Sequence, residues 1–113
     1  MDIQHKTNDG YVTLLISGRL DATSAVTAEQ QIAGVIDGGA SRLLIDLSGL
    51  EFISSAGLRV LLVVAKKMAR QNGKIALCGL QKAVMDVFEI SGFLSIFRIT
   101  ADKVEAVSFF AET

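Results

Sequence analysis

Leu44-Ile45-Asp46-Leu47-Ser48-Gly49-Leu50-Glu51-Phe52-Ile53-Ser54-Ser55-Ala56-Gly57-Leu58 is the stretch on which the fold turns. From Arg42 to Leu47 the chain is a near-continuous apolar run, the pattern of a strand covered on both faces. Ser48 to Ser54 reads as a loop, and a helix is expected from about Ser55 to Gln71. Its apolar stripe would be Leu58, Leu61, Leu62, Ala65, Met68 and Ala69, with Asn72-Gly73 as the stop. A buried strand, a short turn and a long amphipathic helix make half of a strand-helix-strand unit.

The flanks supply the rest. Tyr11 to Ile16 is a β-rich run after the turn signal Asn8-Asp9-Gly10, and a weaker strand at Asp2 to Thr7 would complete a hairpin. Gly18-Arg19-Leu20-Asp21 closes that strand, and Asp21, Thr23 and Ser24 offer caps for a helix. Ala25, Ala28, Ile32 and Val35 give this helix its stripe, and Gly38-Gly39 ends it. Downstream come a strand at Lys74 to Cys78 and a helix at Gln81 to Ile90, with stripe Val84, Val87 and Phe88 and stop Ser91-Gly92. A short strand at Ile96 to Ile99 and a last helix from about Ala101 to Ala111 follow. In that helix Val104, Val107 and Ala111 form the expected inward stripe, which leaves Phe109 on the opposite side. The fold class is α/β: a mixed sheet of four or five strands opened by a hairpin, with about four helices.

Composition narrows the function. The chain has 113 residues, enough for one domain and one core, spanning 1–113. Eleven basic and twelve acidic residues give a net charge of −1, which supplies no broad attraction for nucleic acid or an anionic membrane. Lys66, Lys67 and Arg70 are the only basic cluster, and at helical spacing they read as a solvated face. Cys78 is the single cysteine, so neither a disulfide within the chain nor a thiolate metal cage is expected; it reads as a buried, inert thiol. The N-terminus lacks the layout of a signal peptide, and the longest apolar run, Val60 to Ala65, is too short to span a bilayer. Cytoplasm is the expected compartment, and no cofactor or metal is implied.

Two serines stand where the second helix begins, at the C-terminal edge of a parallel strand, where open α/β sheets place function. The plain reading is that Ser54 or Ser55 caps the helix by accepting a backbone N–H. The other starts from the same geometry: a helix start tolerates a phosphate, so a phosphoserine here would change the surface and leave the fold nearly intact. An enzyme using Ser55 as nucleophile is not expected. His5 is the only histidine, reads as an exposed N-terminal side chain, and Ile53-Ser54-Ser55-Ala56-Gly57 lacks the Gly-x-Ser-x-Gly elbow. Asp46 reads as a structural carboxylate near its strand's end, with closeness to the serines as the secondary reading.

Leu44 to Ser48 together with Phe52-Ile53-Ser54-Ser55-Ala56-Gly57-Leu58 resembles the signature of the STAS domain of bacterial anti-sigma-factor antagonists. Gly18-Arg19-Leu20-Asp21, Asn72-Gly73-Lys74 and Val87 to Phe93 agree with that family in order and spacing, so the resemblance covers essentially the whole chain. It implies a partner-switching cycle. The unmodified antagonist binds a serine-kinase anti-sigma factor; phosphorylation of a serine at the start of the second long helix releases it; a serine phosphatase restores the binding form. Carried over residue by residue, Ser55 is the phosphoacceptor, with Ser54 the second choice because it stands where the family commonly has aspartate. Asp21 is the acidic residue near the switch, and partner contact is implied at Asp21, Ser54, Ala56, Gly57 and Leu58. The free chain is expected to be a monomer. The alternative within the family is an accessory subunit of another system, such as a lipid transporter, that binds constitutively.

Overall fold

A computed structural model describes residues 1–112. The strands β1 (Asp2–Asn8) and β2 (Tyr11–Leu20) form the hairpin, antiparallel, with Asp2 opposite Ser17 and Asn8 opposite Tyr11. Then follow α1 (Ala25–Asp37), β3 (Arg42–Ile53), α2 (Ser55–Arg70), β4 (Lys74–Cys78), α3 (Lys82–Ile90), β5 (Ile99–Thr100) and α4 (Lys103–Ala111). One five-stranded sheet results, in the order β1-β2-β3-β4-β5, with every pair after the hairpin parallel. The α/β mixed sheet expected from the sequence is therefore present, with four α-helices.

Strand alternation sends side chains to two different cores. Leu14, Ile16, Leu43, Ile45, Leu47 and Leu77 pack with Ala28, Ile32, Leu58, Leu61, Val84 and Phe88 of α1, α2 and α3. The intervening Leu44, Ala76 and Cys78 meet Ala106 and Phe110 of α4 on the other side. Burying one such Leu, Ile or Phe side chain contributes on the order of 1.5–3 kcal/mol. The Cys78 thiol is pushed above its usual range by burial first and by the Asp46 carboxylate second.

Several boundaries differ from the sequence expectation. Ser48 to Ile53 is strand, not loop, because Gly49 to Ile53 pairs with Ser17 to Leu20 of β2. Gly49 looked like a breaker, yet it is a point of close approach: a Cβ there would stand 2.8 Å from Ser17 Cβ. β4 ends opposite Asp46, so the last part of β3 pairs with β2 alone. The short strand falls at Ile99–Thr100, not at Ile96 to Ile99. Of the apolar residues before it, Ile96 is exposed and Phe97 is buried, its ring centre 5.7 Å from that of Phe88.

The stripe of α4 is also corrected. Val104 and Val107 are exposed, and Ala106 and Phe110 face inward. Phe109 is half-buried under two cations, Arg98 at 4.4 Å and Lys74 at 5.1 Å from its ring centre. Arg42 Nε donates to the Phe110 carbonyl at 2.9 Å, and Lys74 Nζ donates to the carbonyls of Phe109, at 3.1 Å, and of Glu112. Basic groups from β3 and β4 thus satisfy the open carbonyls at the end of α4 and fix its rotation. In α2 the buried residues are Gly57, Leu58, Val60, Leu61, Val64 and Met68; Leu62 is half-buried and Ala69 exposed. Lys66 and Arg70 are solvated, whereas Lys67 reaches Asp37 at 2.8 Å and ties α2 to the end of α1.

Candidate functional site

The two serines have different jobs. Ile53, the last residue of β3, lies opposite Leu20, and the Ser54 N–H donates to the Leu20 carbonyl at 2.9 Å. Ser54 keeps extended backbone angles, and its Oγ accepts from the Gly57 N–H at 3.3 Å. The Leu58 N–H then donates to the Ser54 carbonyl at 2.9 Å, which starts the helix. Ser54 is therefore the N-cap, half-buried; Ser55 is the first helical residue and is exposed. The first turn of α2 carries no acidic residue.

Close packing holds this junction in place. A Cβ on Gly57 would stand 2.6 Å from the Leu20 carbonyl oxygen and 2.8 Å from Ile53 Cγ1. Only glycine lets the first turn of α2 lie directly on the end of β2. Gly57 and Leu58 are buried and Ala56 is half-buried, so Gly57 and Leu58 shape the site from beneath and present no side chain to a partner. Asp21 is at the same edge, one residue past Leu20. Its Oδ1 accepts from Thr23 Oγ1 at 2.7 Å, Thr23 N–H at 3.1 Å and Ser24 N–H at 3.3 Å. The Thr23 hydroxyl is the main cause holding the Asp21 carboxyl below its usual range, and burial opposes it. Asp21 thus builds the turn into α1, and its Oδ2 faces Arg19 Nε at 3.9 Å.

Asp46 is not part of the site. It pairs with Leu15 of β2, five residues before Leu20, or roughly 17 Å along the strand. Its Oδ1 accepts from the Ser48 N–H at 2.9 Å, a local structural role. His5 is exposed in the middle of β1, an ordered strand. A groove of about 720 Å³ between β1 and α1, lined by Ile3, His5, Leu14, Gly34 and Val35 among others, contains none of the expected switch residues.

One pair at the site was not anticipated. Arg19 lies opposite Phe52, and its Cζ stands 4.2 Å over the centre of that ring. Phe52 is one of the exposed large hydrophobics, 37% exposed, two residues before Ser54. Reading Ser48 to Ser54 as a loop hid this contact, because only the register of an extended β3 sets Phe52 beside Arg19.

The parts together are an exposed hydroxyl on the first helical residue, a cap independent of it, and an arginine resting on a half-exposed ring nearby. Comparison with known proteins places the chain in a family. The STAS domain model matches residues 2–106, and the chain belongs to that family. BtrV of Bordetella bronchiseptica, which carries the name of an anti-sigma factor antagonist, is 41% identical over 90% of this chain and 88% of its own length. Among solved structures, an anti-sigma factor antagonist from Thermotoga maritima superposes with a TM-score of 0.91 at 22% identity, over 97% of this chain and 95% of that one. The Bacillus cell fate determinant SpoIIAA in its phosphorylated form gives 0.70 at 18% identity, over 96% and 98%. At these identities the structural likeness is one of fold.

Proposed function

We propose that this chain is an anti-sigma-factor antagonist of a partner-switching pathway, working in the cytoplasm and switched at Ser55. Unmodified, it binds a serine-kinase anti-sigma factor. Ser55 Oγ then attacks the γ-phosphorus of a nucleoside triphosphate held by that partner. The new O–P bond replaces the bridge to the β-phosphate, the nucleoside diphosphate leaves, and the hydroxyl proton passes to a base on the partner. A serine phosphatase reverses the change by hydrolysis, releasing inorganic phosphate. The chain itself is the substrate of both steps.

The observation that carries this reading is the division of labour between the serines. Ser54 is half-buried with its oxygen committed to the Gly57 N–H, while Ser55 is exposed and outside the cap. Phosphate on Ser55 leaves the cap intact and sits where a helix start favours negative charge. Release follows from desolvation. An interface closed over a neutral hydroxyl must, after modification, bury a dianion without a partner, which costs several kcal/mol. About 4 kcal/mol corresponds to a thousandfold loss of affinity.

Intact mass measurement of the protein from its native cells, at rest and under stress, beside a Ser55→Ala variant, tests the assignment. A phosphoryl mass increment that disappears in the variant is expected. Its absence under every condition, or its persistence in Ser55→Ala, refutes the assignment.

A further inference from the structure

β1 is an edge of the sheet, paired with β2 and, among the described residues, with no strand on its other side. Asn8 and Tyr11 close the two-residue turn, so the Asn8 carbonyl meets the Tyr11 N–H, and hydrogen-bonded pairs recur at every second residue from there. Asn8, Lys6, Gln4 and Asp2 therefore direct their backbone groups to β2, while Ile3, His5 and Thr7 turn theirs outward. The side chains divide by face. Ile3, His5 and Thr7 line the groove beside α1, and Asp2, Gln4 and Lys6 stand on the opposite face. Asp2 and Lys6 are exposed, opposite in charge and in no ion pair among the described residues. The Asp2 carboxylate accepts only from Gln4 Nε2, at 3.3 Å. Four residues along a strand span about 13 Å, too far for the two charges to meet within one chain. A lysine on an edge strand commonly repels a second strand; here the same strand also carries the matching acid.

We propose that β1 is a contact between two copies of this chain, which pair their β1 strands antiparallel about a two-fold axis through Gln4 and join their sheets into one. The inference is independent of which serine is modified. Two centrings use the outward backbone groups. With Gln4 on the axis, Ile3 of each copy exchanges hydrogen bonds with His5 of the other. Asp2 of each then faces Lys6 of the other, in the closer, non-hydrogen-bonded class of pair. With His5 on the axis, Asp2 faces Asn8 and Lys6 faces Gln4, which leaves the charges unmatched. Charge complementarity selects the first centring. The far edge, β5, is only two residues long, so association stops at a closed dimer. Antiparallel pairing sends the two α2 starts to opposite ends of the joined sheet, so both Ser55 sites stay open. One pair of seven-residue strands is small for an interface, so the dimer is weak, with a dissociation constant on the order of 0.1 mM. The monomer expected from the sequence is the form below that concentration.

Sedimentation equilibrium of the full chain, carried to about ten times that constant, should show the mass rising from 12.0 kDa toward twice that value. Lys6→Asp should weaken the dimer about tenfold, because like charges then face each other twice. Adding Asp2→Lys to that variant should restore association, which a merely damaged strand would not do. Under oxidised glutathione, Gln4→Cys should form a disulfide-linked dimer, since the two Cα atoms at the axis stand about 4.5 Å apart. His5→Cys, two residues out of register with its own copy, should cross-link far more slowly, and the native Cys78 is buried away from the edge. A mass that stays at one chain throughout overturns the proposal. So does a dimer that Lys6→Asp leaves unchanged, or one that links His5→Cys as fast as Gln4→Cys.

Discussion

At the start of α4, Asp102 Oδ1 accepts from the Glu105 N–H at 2.9 Å while Glu105 Oε2 accepts from the Ala101 N–H at 3.3 Å, so two carboxylates occupy the positive end of that helix. At the start of α2 a neutral serine makes the cap, the first turn has no acid, and the first residue is an exposed serine. Both ends are capped, but only α4 brings its own negative charge. A helix that is purely structural can fill its start permanently. A helix that must gain and lose a charge keeps the position neutral and lets a second residue do the capping. On the proposed function, the contrast would let one molecule contain a fixed helix start and a switchable one built on the same backbone geometry.

Phosphorylation of Ser55 should break the comparison most visibly. Calorimetric titration against the kinase anti-sigma factor is expected to show a loss of about a thousandfold, near 4 kcal/mol, with Ser55→Asp giving a smaller loss in the same direction. Urea unfolding should change by no more than about 0.5 kcal/mol, as for a surface substitution. Undiminished binding by the phosphorylated protein would leave the difference between the two helix starts without functional meaning.

Gly57→Ala comes next. The added methyl must displace the Leu20 carbonyl or the Ile53 side chain, at an expected cost of about 1–3 kcal/mol in urea unfolding. Gly34→Ala in α1, where nothing lies within 4 Å, should instead stabilise by about 0.5–1 kcal/mol. Equal effects at both positions would mean that α2 is not seated on β2 as described.

Removing the caps sharpens the contrast. Ser54→Ala and Asp102→Ala should each cost about 1 kcal/mol. Added salt should shrink only the Asp102 effect, because only that cap carries a charge that ions screen.

The smallest effect concerns Asp21. Its carboxyl is held below the usual range by the Thr23 hydroxyl, so folding favours the ionised form. The stability this contributes is present above the unfolded aspartate value, near 3.9, and is lost as pH falls through the lower folded value. Asp21→Asn should lack that part of the acid transition in urea titrations between about pH 5 and about pH 2. An unchanged acid transition in the variant would remove Asp21 from the forces shaping this edge.

The sequence was most legible where one physical signal dominated. The apolar run at Arg42 to Leu47, the stop at Asn72-Gly73 and the helical stripes Ala28–Ile32 and Val84–Phe88 each announced their element. It misled where tertiary contacts set the outcome. Ser48-Gly49 has the composition of a turn, yet the glycine is what lets β3 continue against Ser17. The rotation of α4 depends on Arg42 and Lys74 holding its last carbonyls, groups about 68 and 35 residues away in the chain. At the candidate site both serines and Asp21 could be named in advance, but not which serine would be the cap. Arg19 and Phe52 were out of reach, since their meeting follows from a register that includes a bulge between Gly18 and Arg19.

The strand order has one more consequence. Spatial order equals chain order, so no strand is threaded between two already paired, and each is laid on the edge left by its predecessor. Arg19, Asp21, Phe52, Ser54, Ser55 and Gly57 all precede β4 in the chain. During synthesis, β1, β2, α1 and β3 can therefore come together before the C-terminal elements leave the ribosome. We expect stalled nascent chains that expose residues up to the end of α2 to protect the Ser55 region from proteolysis, and protection only at full length would show that the region waits for β4 and α4.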